Sequence, residues 1–265
     1  SQVAAGAPSD FAHAVTIDDE AAAHAVTMRL IAWGHRRIGF IAGSLDQTAS
    51  ALRQAGYARA LAEAGIAGCA DWAVQGDFNA TSDKGHMILD PPSTDGLWPV
   101  YKGASFDLWN PDTAEYYAWA EPEYICAVLQ AKRVRQSRLA SSVFSLLPKN
   151  VIANPATLPC RRPRIAFRDV TNRTNQRTVI TALVPPQVVC ANQAPYLLFA
   201  AGDERDEAFL LGVLSSVPLD WYARRYVETH LNFHILYAFP VPRPSRDDPL
   251  RRRVEQISGR LAAVD

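Results

Sequence analysis

The sequence predicts two successive parts of different fold class, an α/β part followed by an α+β part. The first 80 residues alternate β-prone and helix-prone segments, which is the pattern of parallel strands joined by crossover helices. From about residue 83 this alternation stops, and short β-prone runs among many aromatic residues replace it. With 265 residues, of which 48% are hydrophobic and 20% charged, the chain suits one large domain or two small ones.

Local signals in the first part define three strands and two helices. Asp18-Asp19-Glu20 places carboxylates at a helix start, where the helix dipole favours them, and Gly34 is a typical helix end. The predicted order is a strand at 11–17, a helix at 21–33, a buried strand at 37–43, a helix at 51–64 and a strand at 70–77.

A turn-rich linker, Asp90-Pro-Pro-Ser-Thr-Asp-Gly96, precedes the second part. The predicted division is therefore a first unit at 1–82, a junction at 83–96 and a second unit at 97–265. In the second unit the sequence predicts strands at 164–168, 178–184 and 196–200, a long helical stretch at 209–227 interrupted near Pro218, and an amphipathic helix beginning at Arg251.

Charge and cysteine content narrow the class of protein. The chain has no net charge, but residues 1–82 carry a net −3 and the remainder a net +3, which weakly favours a polyanionic partner for the second part. The four cysteines form no CxxC pair, so we expect reduced thiols in a cytoplasmic protein. No stretch approaches the roughly 18 apolar residues that span a bilayer, and the first residues do not resemble a signal peptide.

Three ordered motifs in the first part resemble the Lac repressor family. They are Val15-Thr-Ile-Asp-Asp19, Gly34-His-Arg-Arg-Ile-Gly-Phe-Ile-Ala-Gly43 and Ser50-x-x-Arg53-x-x-Gly56-Tyr57-x-x-Ala60-Leu61. The resemblance covers about residues 11–82 and implies a partial Rossmann-like lobe of the periplasmic-binding-protein-like effector domain. In that family Arg53 matches a position that often contacts the effector. Since neither the helix-turn-helix headpiece nor the second lobe is found, we expect Arg53 to be a solvated helix residue rather than an effector ligand.

A second series of motifs, in the second part, resembles another class of protein. It runs from Trp98-Pro-Val-Tyr101 through Ile165-Ala-Phe-Arg168 and His230-Leu-Asn-Phe233 to Phe239-Pro-Val-Pro242. The series is similar to the C-terminal, TaqI-like specificity region of the adenine-specific methyltransferases of type II restriction–modification systems, and it covers about residues 97–245. The resemblance implies that this part chooses a DNA target, while a separate domain binds S-adenosylmethionine and transfers the methyl group.

Clustered arginines and amides suit double-stranded DNA, because arginine pairs with guanine edges and phosphates while asparagine contacts adenine or the backbone. The alternative is that several of them solvate a strand face or pair with Asp203, Glu204 and Glu207. The candidate DNA-binding residues are Arg161, Arg162, Arg164, Arg168, Asn172, Arg173, Asn175, Arg177, Arg224, Arg225, His230 and Asn232.

Catalytic machinery is not recognisable in the sequence. Asp90-Pro-Pro-Ser93 lacks the aromatic residue that would stack on a flipped base, and no glycine-rich cofactor loop precedes it. His230 and His234 have the spacing of a metal-binding pair on a helix, but no third ligand is evident. We therefore expect no catalytic residue, no metal and no cofactor in this chain, with S-adenosylmethionine bound only by the missing methyltransferase domain.

The main hypothesis is a DNA-binding, non-catalytic target-recognition portion of a methyltransferase, with a catalytic domain possible in trans. A fragment of a Lac-repressor-family regulator, active in small-molecule sensing or dimerisation, is the alternative. A fusion remnant without activity is a third, because Gly85-His86-Met87 lies at the change of pattern and is compatible with a natural or an engineered join.

Overall fold

A computed structural model describes residues 18–34, 38, 48–64, 72–139, 142–199, 202–237 and 239–263. The helices of these ranges are α1 (Asp19–Ala32), α2 (Thr48–Glu63), α3 (Pro122–Gln136), α4 (Lys149–Ala153), α5 (Glu204–Leu214), α6 (Val217–Ala223), α7 (Phe233–Tyr237) and α8 (Pro249–Ala262). The strands are β1 (Trp72–Gln75), β2 (Trp98–Tyr101), β3 (Ala118–Ala120), β4 (Arg164–Phe167), β5 (Thr181–Val184), β6 (Val189–Cys190) and β7 (Tyr196–Phe199).

The strands form two small sheets. The larger has the order β1-β7-β4-β5, and all of its neighbouring strands are antiparallel. The smaller has the order β3-β2-β6, with β2 antiparallel to β3 and parallel to β6. The predicted strands at 11–17 and 37–43 lie outside the described residues apart from residue 38, so the partial Rossmann-like lobe followed by an α+β unit stays a prediction.

Strand β1 belongs to the larger sheet. Its Trp72 lies opposite Phe199 and its Gln75 opposite Tyr196, whereas the sequence predicted parallel neighbours within the first 80 residues. The residues that follow β1 continue this association, since the backbone N–H of Ala80 donates to Asn192 Oδ1 at 2.9 Å. The division at 83–96 stays a prediction, but residues 72–82 pack with the strands of the second part.

Helices α1 and α2 form a tightly packed pair. A Cβ added to Gly56 would lie 2.0 Å from the carbonyl oxygen of Glu20, so only glycine allows the two backbones this close. Ile31 and Leu61 are buried between the helices, and three polar side-chain contacts join the two helices at their edges. These are Arg53–Asp19, Arg59–Glu20 and His24–Glu63.

One hydrophobic core lies between the larger sheet and the C-terminal helices, and another surrounds β2, β3 and α3. Ile165 and Phe167 of β4 are buried against Leu210, Leu211 and Leu214 of α5. The burial of these large side chains supplies the main stabilisation of this region. The interruption near Pro218 predicted for the helical stretch at 209–227 is confirmed, because α5 ends at Leu214 and Ser216 caps the start of α6, with Pro218 in its first turn.

Helix α8 packs against α5 at another close glycine contact. A Cβ on Gly212 would lie 2.1 Å from Ser258 Oγ. Buried Arg251 donates to Glu255 of the same helix at 2.7 Å and also pairs with Asp206 of α5. The second contact holds α8 against α5. The amphipathic helix predicted from Arg251 is therefore confirmed, and its basic run is partly used for packing.

Candidate functional site

The arginine cluster at 161–177 does not form one surface. Arg161 and Arg162 precede β4 and are exposed, and the Arg161 guanidinium lies 5.6 Å from the centre of the Trp98 ring. Arg164, the first residue of β4, points into the protein and is buried. Arg161 ends the short 3-10 turn Pro159–Arg161, whereas β4 is buried along its whole length, which separates Arg164 from the exposed arginines before it.

Arg164 and Asp77 form a buried ion pair between β4 and the segment after β1. Arg164 Nη1 lies 3.3 Å from Asp77 Oδ2, and Arg164 Nη2 donates to the carbonyl of Val188 at 2.8 Å. Asp77 also accepts from the backbone N–H of Cys190 at 2.9 Å and from the Tyr196 hydroxyl at 3.1 Å. The pair is therefore part of the core, and Arg164 is not available to DNA in this structure.

Burial sets the protonation of this network. It raises the pKa of Tyr196 well above the ordinary value, so its hydroxyl keeps the proton it donates to Asp77. It also raises the pKa of Cys190 to about 11, which keeps the thiol neutral. Burial disfavours the charged form of Arg164, yet the Asp77 carboxylate helps hold the pKa of the guanidinium above its ordinary value.

Arg168 and Arg177 are half-buried and bind backbone carbonyls. Arg168 Nη2 donates to Phe106 at 2.7 Å, and Arg177 Nη2 donates to Ser215. Arg177 Nε also lies 3.6 Å from the buried carboxylate of Asp220. Both guanidinium groups hold loops against the core.

Arg224 anchors the turn that contains three of the predicted residues. It donates to Asp220 at 2.9 Å and to the carbonyls of Arg173 and Asn175 at 3.0 and 2.9 Å. Asn172 accepts from the N–H of Thr174, which stabilises the same turn. The side chains of Arg173 and Asn175 are exposed, so the anchoring leaves them at the surface.

The remaining candidates lie just after α6. Arg225 is exposed and stacks 4.0 Å above the centre of the Trp221 ring. His230 Nδ1 lies 3.0 Å from Asp169 Oδ2, and the Asn232 side chain accepts from the N–H of Ile235 at the start of α7. Of these three, Arg225 alone has its charged group directed to an exposed aromatic surface.

The predicted effector residue Arg53 is paired within the helix pair. Its Nε donates to Asp19 Oδ1 at 2.7 Å, while more than half of the side chain is exposed. Arg53 is therefore the exposed helix residue expected from the sequence, but it has an ion-pair partner. The motif around it contains a structural residue that sequence reasoning missed, because Gly56 is the point of closest approach to α1.

Other candidate sites carry little chemistry in the described part of the chain. An open groove of about 880 Å³ runs along α3 and includes Cys126, Arg135 and Arg161. Asp90 is exposed, and none of the residues seen forms a group of three or more side chains suited to a metal ion. No described helix is long and apolar enough to cross a membrane.

The chain is similar over part of its length to transcriptional repressors. It is 40% identical over 76 residues to the HTH-type transcriptional repressor PurR of Klebsiella pneumoniae subsp. pneumoniae, a match that covers 29% of this chain and 22% of the relative. It is 40% identical over 88 residues to PurR of Escherichia coli O139:H28, covering 32% and 26%, and 47% identical over 53 residues to PurR of Erwinia tasmaniensis, covering 20% and 16%. The chain thus spans about a quarter or less of the length of these curated relatives. No family model matches it.

These relatives support the resemblance of the first part of the chain to Lac repressors. They give no support to the resemblance of the second part to methyltransferases. The hypothesis that the chain is the target-recognition portion of a restriction–modification methyltransferase is wrong, because the relatives found are repressors. The structure supplies a physical reason for the misreading. Arg164, Arg168, Arg177 and Arg224 resemble a DNA-reading cluster in the sequence, but they bind carboxylates and carbonyls inside the fold.

Proposed function

We propose that the chain is a portion of a transcriptional regulator related to the Lac repressor family, in which the α1–α2 pair serves self-association. The observation that carries the proposal is the 40% identity over 76 residues to proteins named HTH-type transcriptional repressors. Double-stranded DNA is the partner we propose for the whole regulator.

Small-molecule sensing is the weaker form of this proposal. An effector ligand at Arg53 would have to replace the 2.7 Å hydrogen bond to Asp19. The described pockets lie elsewhere, along α3 and beside Asp77, and neither includes a residue of α1 or α2. The geometry therefore favours a contact between protein surfaces.

The outward face of α1 has the composition of such a contact. Ala22, Ala25 and Val26 are exposed on the face turned away from α2, and Val26 retains 63% of its accessible surface. Trp33, 66% exposed, follows the helix and lies 5.3 Å from the guanidinium of Arg29. Small alanines allow close approach of a second helix, and the large apolar groups gain stabilisation when they lose contact with water.

Sedimentation velocity over a range of protein concentrations tests the proposal. We expect the full chain to self-associate and Val26→Glu to shift it to monomer, because the new carboxylate would be desolvated in the contact. Leu250→Glu is the matched control, since Leu250 is also an exposed aliphatic residue and lies on α8. A monomeric parent chain at every concentration, or identical behaviour of the two variants with unchanged circular dichroism, would contradict the self-association role.

A further inference from the structure

A second exposed aromatic surface lies far along the chain from α1. It consists of Val217, Trp221, Arg225 and Tyr226 on and just after α6, together with Arg173 on the neighbouring turn, and is called here the Trp221 surface. Trp221 is 60% exposed and Tyr226 is 54% exposed. Single exposed aromatic residues are common, but a contiguous group of them often marks a surface that meets a ligand or partner.

The backbone under this surface is held firmly. Asp220 is buried and accepts from the backbone N–H groups of Thr178 and Val179 at 2.7 and 2.8 Å. Leu219 is buried on the same inward side of α6. The spacing of four residues from Val217 to Trp221 and to Arg225 puts these side chains on one outward side. The backbone of α6 that carries the exposed Trp221 ring is therefore fixed by these buried contacts.

The exposed groups combine flat rings with positive charge. The Arg225 guanidinium lies 4.0 Å from the centre of the Trp221 ring, and the rings of Tyr222 and Tyr226 are 5.0 Å apart. Arg224 brings the turn of Arg173 alongside through a 3.0 Å hydrogen bond to its carbonyl. The Trp221 surface contains two exposed arginines, Arg173 and Arg225, and no acidic residue, so it is net positive; the exposed Glu228 follows two positions after Tyr226.

We propose that the Trp221 surface binds single-stranded nucleic acid, with unpaired bases stacked on Trp221 and Tyr226 and phosphates bound by Arg173 and Arg225. Every base offers a flat face for stacking once it is unpaired, and arginine adds charge that follows the phosphate chain. In a duplex the base faces are covered by their neighbours, so exposed rings would add little. The inference goes beyond the proposed regulatory role, and its test does not use self-association of α1.

Fluorescence anisotropy of labelled oligonucleotides tests the inference on the full chain. The probes are oligo-dT and oligo-rU of about 20 nucleotides and a duplex of the same length, titrated from about 50 to about 200 mM salt. We expect both single strands to bind more tightly than the duplex. Trp221→Ala should weaken the single-strand Kd by at least about 5-fold, and Arg225→Ala should lower the salt slope by about 0.7.

Tyr124→Ala is the matched control, because Tyr124 is also an exposed aromatic residue and lies on α3, outside both the Trp221 surface and the exposed face of α1. It should leave oligonucleotide binding unchanged. Absence of binding at the lowest salt, equal loss in Trp221→Ala and Tyr124→Ala, or preference for the duplex would overturn the inference. So would loss of self-association in Trp221→Ala without any change in oligonucleotide affinity, because the surface would then be a protein contact.

Discussion

Replacement of Asp77 by alanine tests how residues 72–82 are joined to the second part of the chain. Asp77 and Arg164 retain only 3% and 4% of their accessible surface, and their charged groups lie 3.3 Å apart. Asp77→Ala would leave the guanidinium buried without a counter-charge and would free the hydroxyl of Tyr196 and the N–H of Cys190. Breaking a buried ion pair from one side costs about 3–5 kcal/mol.

Thermal and urea unfolding measure this cost. For a protein of this length, a loss of about 3–5 kcal/mol lowers Tm by about 6–20 °C. Asp247→Ala is the control, because the Asp247 side chain is 91% exposed in its pair with Arg252 and should change stability by less than about 0.5 kcal/mol. Asp77→Ala combined with Arg164→Met should recover part of the loss, since the uncompensated charge is gone. A loss below about 1 kcal/mol for Asp77→Ala would refute the buried-pair reasoning.

Three further changes test the helix contacts and one titrating group. Gly56→Ala places a Cβ 2.0 Å from the Glu20 carbonyl oxygen, so we expect a loss of about 1–3 kcal/mol and faster proteolysis of α1; unchanged urea midpoints would exclude the close contact. Gly259→Ala on α8 meets nothing within 4 Å and should raise stability by about 0.5–1 kcal/mol in the same assay; a loss would contradict that open space. Burial, reinforced by Glu204, raises the pKa of Glu207 to about 7 from its ordinary 4.5. The folded state therefore holds this proton more tightly, and the associated stability is full below pH 4.5 and is lost as pH rises to about 7. Glu207→Gln should remove about 1–2 kcal/mol of that dependence, a value reduced for partial exposure; an unaltered difference between about pH 5 and about pH 8 would contradict it.

Local signals in the sequence were enough to predict several elements. The predicted helices at 21–33 and 51–64 correspond to α1 and α2 within three residues at each end, because capping carboxylates and terminal glycines act over one turn. Strands β4, β5 and β7 lie inside the predicted β-prone runs. Helix α3 was missed, since its glutamate cap and proline start stand next to aromatic β-prone residues that masked the helical pattern.

The partners of the charged residues were decided by tertiary structure alone. The sequence shows an arginine-rich segment, but only the fold reveals that Arg164 meets Asp77, 87 positions earlier, or that Arg224 and Arg177 share Asp220. Charge density along a chain is local information, whereas burial and pairing depend on which distant segments the sheet brings together. Comparison with known proteins supports the resemblance to Lac repressors, whereas the methyltransferase function inferred from the second series of motifs and the arginine cluster is wrong.

Sequence by itself therefore determined the positions of α1 and α2 and the repressor-like motif, while the close approach of the two helices at Gly56 was decided by tertiary structure. Tertiary structure decided the role of each polar side chain, because a hydrogen bond or ion pair needs both partners within a few ångströms. It also decided that Trp221 and Tyr226 are exposed while the neighbouring Leu219 and Ala223 are buried. A helix turns one face to the core, and only the packed fold fixes which face that is.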